Sequence, residues 1–252
     1  MGIKIGKSHW KEYLYEFLGT AILLFLGLVG IFLANLETLP GVLRYFIVGL
    51  SFAVAIVIVV YSFLGRRSGG HINPAVTVAF WMSGLMENID AIFYIIAQLA
   101  GAVFGSWVAF LVFNWKSPLL ALTLPSLDYP VLLILCVEAT IVFLLIMIIF
   151  SLVSSEKLGK FTGLGVGMYI VLVTVLFASI SGASLNPARS FGPVVLLHHF
   201  NHLWIYFIGP IFGTIIAVYL FRVETKGMKP ECSKLCYKTD AECLFKCRCE
   251  HK

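Results

Sequence analysis

The triplet Asn-Pro-Ala occurs twice in this chain, at Asn73-Pro74-Ala75 and Asn186-Pro187-Ala188, each time enclosed by long apolar runs. Asparagine is a favoured N-cap, and proline suits the first helical position because its missing N–H would find no partner there. Each triplet therefore reads as the start of a helix. A helix that starts at membrane depth exposes unpaired N–H groups and the positive end of its dipole. Such backbone is tolerated only where it lines a water-filled cavity or is buried in protein. Two such starts in corresponding positions of two chain halves point to a binding or conducting site near the bilayer midplane.

The surroundings support a membrane setting. Of 252 residues, 60% are hydrophobic and 12% charged, against about 25% charged in soluble domains. Residues 17–36, 45–64, 91–115, 161–188 and 203–221 carry no Asp, Glu, Lys or Arg, and 129–155 is interrupted only by Glu138. Each suits a helical crossing of about 20 residues. Six spans are predicted, and 161–188 has room for a re-entrant approach as well. The basic segment Met1–Lys11 precedes an apolar run of full span length without a clear cleavage site, so no cleaved signal is expected.

With six spans the two termini share one face. Fifteen of the 18 Lys and Arg residues fall on that face, leaving Arg44, Lys116 and Arg189 on the other. The excess of positive charge predicts a cytoplasmic location for both termini in the cell membrane. The net charge of +5 thus reflects topology and contact with the lipid surface, and gives no support to nucleic-acid binding.

The halves repeat, over about residues 10–115 and 129–222. Glu16 opens the first span and Glu138 lies early in the fourth; Gly49-Leu50 matches Gly163-Leu164; Gly101 and Gly105 in the third span match Gly209 and Gly213 in the sixth. Glycines four apart let helix backbones approach closely. An odd number of spans per half inverts the second copy, so the two broken segments face each other at mid-bilayer. Residues 1–222 read as one channel domain and 223–252 as a separate, basic, cysteine-rich cytoplasmic tail. Cys136 reads as an inert buried thiol.

Capping occupies the asparagine side-chain oxygen and leaves the amide NH₂ as donor. Asn73 and Asn186 are therefore expected to donate together to a passing water, which then cannot relay a proton, while the facing helix dipoles oppose cations. The plainer reading, that each triplet caps a surface helix, would serve for one copy as well as the membrane reading does, but two copies in register with an inverted repeat speak against it.

Residues Ser68-Gly69-Gly70-His71-Ile72-Asn73-Pro74-Ala75-Val76-Thr77 and Ser181-Gly182-Ala183-Ser184-Leu185-Asn186-Pro187-Ala188-Arg189-Ser190 closely resemble the two signature loops of the aquaporin, or major intrinsic protein, family, over about residues 10–222. The resemblance implies an all-α membrane protein: six tilted transmembrane helices plus two re-entrant half-helices in an inverted repeat, with one pore per subunit of a homotetramer. It places a selectivity filter at Phe52, Thr174, Ala183 and Arg189. Ungapped counting from Asn73 reaches Ala53 instead, and Phe52 requires one extra residue near Ser62–Arg67. The carbonyls of Gly70, His71 and Ile72 are expected to line the inner vestibule, and those of Gly182, Ala183 and Ser184 the outer one. Glu16 and Glu138 are expected to brace the loops by accepting backbone hydrogen bonds, in preference to a proton relay. Water-selective members similar to this chain usually carry histidine where Thr174 stands. Ser190 after Arg189, and Tyr206-Phe207, are typical of the water branch, and the pattern is nearest that of prokaryotic members.

Outside the loops, His71 reads as a packed ring with a gating role as the rival. His198, His199 and His202 read as a solvated loop in preference to a metal site. Cys232, Cys236, Cys243, Cys247 and Cys249 leave three readings open: a metal site, disulfides, or no bound partner. The function expected is a passive channel for single-file water that excludes protons and ions, with room for other small neutral solutes and with no cofactor. The rivals are a facilitator for glycerol, ammonia or hydrogen sulfide, a structural membrane protein with a vestigial pore, and an ion-coupled transporter relying on Glu16 and Glu138. No nucleophile–base set suggests an enzyme.

Overall fold

The computed structural model describes residues 9–36, 39–113 and 118–235. It contains α1 (Trp10–Ala34), α2 (Gly41–Tyr61), α3 (Phe63–Ser68), α4 (Pro74–Met82), α5 (Asn88–Phe113), α6 (Val131–Val153), α7 (Thr162–Ser181), α8 (Pro187–Leu197) and α9 (Ile205–Glu224), with no strand among the described residues. Six helices are long and apolar enough to cross a membrane, namely α1, α2, α5, α6, α7 and α9. The chain is a multi-pass membrane protein, and its outer surface is correspondingly apolar, with Leu50, Ile58, Ile96, Leu172 and Phe212 all exposed.

The arrangement repeats with the sequence. In the first half α1 packs on α5 and α2; in the second, α6 packs on α9 and α7. The halves join where α2 meets α7, and they exchange their short helices: α8 packs on α5, and α4 on α9. At 1.5 Å rise per residue, the nine residues of α4 and eleven of α8 together rise about 30 Å, the thickness of the hydrocarbon core. Each short helix is thus half a span.

Close packing between the long helices depends on missing side chains. A Cβ at Gly101 or Gly105 of α5 would collide with the carbonyl oxygens of Phe17 or Ala21 on α1, and one at Gly213 of α9 with the carbonyl oxygen of Ala139 on α6. Lipid offers no hydrophobic drive toward helix pairing, so van der Waals contact between approaching backbones has to supply it.

Two expectations need correction. The second apolar stretch is not one helix: Ser62 leaves the helical conformation after α2 and caps α3, its Oγ accepting from Leu64 N at 3.2 Å. This break falls within the segment where the filter alignment requires an extra residue. Cys136 is exposed, because it lies two residues from buried Glu138 and so on the opposite side of α6 from the inward stripe of Ile134, Glu138 and Ile141. Among the tail cysteines Cys232 is described and buried, whereas Cys236, Cys243, Cys247 and Cys249 lie outside the described residues.

Both described ends of the chain lie on one face, here the terminal face, where His9 Nδ1 meets Asp90 Oδ1 at 2.8 Å and Arg222 donates to the Met82 carbonyl. The opposite face carries Asn35, Pro40 and His198.

The packing argument predicts that Gly105→Val costs about 3 kcal/mol, the upper end for over-packing, whereas Gly41→Ala, where a Cβ meets nothing within 4 Å, leaves stability unchanged. Thermal midpoints of the purified protein in detergent check both.

Candidate pore site

Both half-helices begin as the triplets dictate. Asn73 and Asn186 are extended N-caps, each accepting at 2.9 Å from the N–H two residues on, at Ala75 and Ala188, with Pro74 and Pro187 opening the helices. Ala75 and Ala188 are fully buried. The two starts are stitched together: Asn73 Nδ2 donates to the Leu185 carbonyl at 3.0 Å, and Asn186 Nδ2 to the Ile72 carbonyl at 2.9 Å. One amide hydrogen of each asparagine is thereby used between the loops, and one remains, where the sequence alone suggested a free pair.

The loops before the triplets share a tightly wound backbone. Gly69, Gly70 and Ile72 have φ of 98°, 67° and 42°, and Gly182, Ala183 and Leu185 have 84°, 43° and 56°. A non-glycine residue in this left-handed region costs about 1–2 kcal/mol, so the surroundings must hold it there. Buried glutamates do so. Glu16 accepts from His71 N at 3.0 Å, Ile72 N at 2.7 Å, Ser68 Oγ at 2.7 Å and Gln98 Nε2 at 2.8 Å. Glu138 accepts from Ser184 N at 3.0 Å, Leu185 N at 3.2 Å and Ser181 Oγ at 2.7 Å. Every one of these partners is a donor, as an acceptor-only carboxylate requires. Tyr94 and Tyr206 complete the symmetry, donating to the Ser68 and Ser181 carbonyls at 2.7 Å each.

A cavity of about 300 Å³ runs past these loops. Arg44, Tyr45 and Asn35 stand at its distal end; Phe52, Thr174, Ala183 and Arg189 follow, then both asparagines, then His71. The Arg189 guanidinium lies 5.3 Å from the Phe52 ring centre, and its Nη1 is buried without a hydrogen-bond partner among the described residues. Thr174 Oγ1 donates to the Ile170 carbonyl at 2.7 Å, so the lumen receives only its lone pairs. Ala53, the other span-two candidate, is not on the cavity wall; it packs against Gly167 of α7.

Of the six vestibule residues expected, His71, Ile72, Gly182, Ala183 and Ser184 line the cavity and Gly70 does not. The left-handed turn at Gly70 sets it against Val60 and Gly65 of the α2–α3 break. Neither Glu16 nor Glu138 reaches the wall, so neither is placed to couple transport to an ion. The three histidines near residue 200 form no metal cluster among the described residues. Contributors not anticipated from sequence include Tyr94, Gln98 and the distal Asn35, Arg44 and Tyr45. The serine opening each signature loop, Ser68 and Ser181, was a legible signal, since it recurs at the same place in both copies.

Glu138→Gln keeps one acceptor oxygen and turns an NH₂ toward a backbone N–H. A loss of about 1–3 kcal/mol is expected for the unsatisfied buried group, read as a lower thermal midpoint together with slower solute flux.

Comparison with known proteins agrees with this geometry. The family model described as Major intrinsic protein matches residues 5–221. The glycerol uptake facilitator protein-like 6 of Lactiplantibacillus plantarum is 37% identical over 219 residues, covering 84% of this chain and 97% of that protein. A probable aquaporin, AqpM, of Archaeoglobus fulgidus is 33% identical, covering 86% of this chain and 97% of its own length. Aquaporin-5 of Rattus norvegicus is 33% identical, with 85% and 80% covered. Among solved structures, the aquaglyceroporin from Plasmodium falciparum superposes with a TM-score of 0.76 at 23% identity, over 85% of this chain and 96% of that one, a likeness of fold. This chain belongs to the major intrinsic protein family, whose members are membrane channels and not enzymes.

Proposed function

We propose that the chain is a passive water channel that passes water in single file, bars protons and ions, and leaks other small neutral solutes. The observation that carries this reading is a lumen that sets a track of a few polar groups among mostly apolar walls. Asn73, Asn186 and Arg189 supply donors along the track, while Val48, Ile56, Leu145, Ile149, Val166 and Ile170 offer a passing molecule nothing to bond. Water must therefore trade its shell for a few fixed partners, and an ion finds too few. The buried, unpartnered Nη1 of Arg189 is such a partner in waiting.

The half-helices present their positive ends to the midpoint, which opposes cations. A water held by both asparagine amides has its oxygen occupied, and the proton relay stops there. The proposed filter is Phe52, Thr174, Ala183 and Arg189. The positive-charge excess on the terminal face supports its assignment to the cytoplasm, and the family resemblance supports a homotetramer with one pore per subunit.

A glycerol facilitator is the second reading. It is favoured by Thr174, which is smaller than the histidine of similar water-selective members, and by the relative named as a glycerol uptake facilitator.

Stopped-flow osmotic jumps on proteoliposomes separate the two. Water is expected to pass faster than glycerol, and Thr174→His to lower glycerol flux several-fold while sparing water. Glycerol passing as readily as water favours the facilitator. Neither solute passing faster than through empty vesicles, in the full chain and in a form shortened after Lys229, contradicts the channel itself.

A further inference from the structure

The cavity that runs from Arg44 past both asparagines to His71 is lined beyond His71 by the tail. Its wall there includes Leu235, a residue beyond α9 in a stretch whose polar, basic composition suggested a separate cytoplasmic tail. After α9 the chain turns sharply through Lys226 and Gly227, with φ of 52° and 84°, and runs back beneath the first signature loop. Lys229 lies against Gly84 at the end of α4. Cys232, Ser233, Lys234 and Leu235 are each no more than 2% exposed, and Leu235 joins the hydrophobic core.

The contacts fall on the loop that forms the inner vestibule. Leu235 N donates to the Gly69 carbonyl at 3.0 Å, and His71 Nε2 lies 2.9 Å from the Ser233 carbonyl. The neighbouring bonds decide the tautomer. Gln98 Nε2 donates to Thr77 Oγ1 at 2.9 Å, the Thr77 hydroxyl lies 3.1 Å from His71 Nδ1, and the Nε2 hydrogen is then left for Ser233. His71 also stacks on Phe80 with ring centres 4.9 Å apart, which fixes its plane. A ring nitrogen on a cavity wall, where a passing solute would bond, is thus occupied by tail backbone, and His71 is 1% exposed.

We propose that residues Cys232–Leu235 form an autoinhibitory plug: the tail binds the Gly69–His71 backbone and the His71 imidazole and closes the terminal mouth of the pore. This rests on the channel reading above. The hydrogen bonds to Gly69 and His71 and the packing of Leu235 hold the plug without any covalent link to the loop, so it exchanges with an open form, and the full chain conducts in proportion to its open fraction.

The test compares three proteins in vesicles at equal protein content, each with water and with glycerol: the full chain, the chain ending at Lys229, and full-length Leu235→Pro. The last lacks the N–H that bonds Gly69 and the side chain that fills the mouth; it keeps the rest of the tail and guards against misfolding of the shortened form. Both altered proteins are expected to conduct several-fold faster than the full chain, with the ratio of water to glycerol unchanged. A peptide of residues 228–252, present on both sides of the vesicles, is expected to slow the shortened form. Rates equal to the full chain in both altered proteins overturn the plug and leave the channel reading intact. Absence of flux in all three overturns the channel and the plug with it.

Discussion

An amide N–H placed in hydrocarbon without a partner costs several kcal/mol, and this fold contains two loops that stop inside the membrane. The glutamates make those loops possible. Glu16 gathers His71 N and Ile72 N; Glu138 gathers Ser184 N and Leu185 N. These are the amides that a left-handed loop backbone cannot give to a helix. With the loops pinned, the next residues are free to cap and start α4 and α8, and the asparagines come to rest against each other's loop.

The rest of the architecture serves that meeting point. Glycines on α5 and α9 draw α1 and α6 inward, which carries Glu16 and Glu138 to the loops. Exchange of the short helices, α8 onto α5 and α4 onto α9, fixes the halves to each other. The lumen thereby meets the donors of Asn73, Asn186 and Arg189 among aliphatic side chains such as Val48, Ile56, Leu145 and Ile149. The proposed passage of small neutral molecules rests on that sparse set of fixed partners and needs no covalent step.

Much of this was legible in the residues. The two triplets located the half-helices, the matched glycines and glutamates gave the inverted repeat, and the uncharged runs gave six spans. Finer features depended on three-dimensional register. Phe52 and Ala53 are adjacent in sequence, and they parted only once the break at Ser62 set the rotation of α2 relative to the loop. Gly70 shares its motif with the wall residues His71, Ile72 and Asn73 yet is turned from the wall, because it packs against Val60 and Gly65 at the α2–α3 break. Cys136 showed its face only when helical phase was counted from Glu138. The packing of Ser233 and Leu235 carried no local signal at all: a polar, basic stretch has no periodicity to announce burial, and its partners lie more than 150 residues earlier in the chain.

The central claim is that two opposed half-helices, pinned by buried glutamates, hold a hydrated track across the bilayer centre. High-resolution density for the chain in lipid nanodiscs tests it most directly. The account predicts a file of ordered solvent from Arg44 past Arg189 toward His71, with a central water bonded to the amides of both Asn73 and Asn186. A dry lumen, or half-helices whose asparagines lie apart and turned from any common passage, would contradict it.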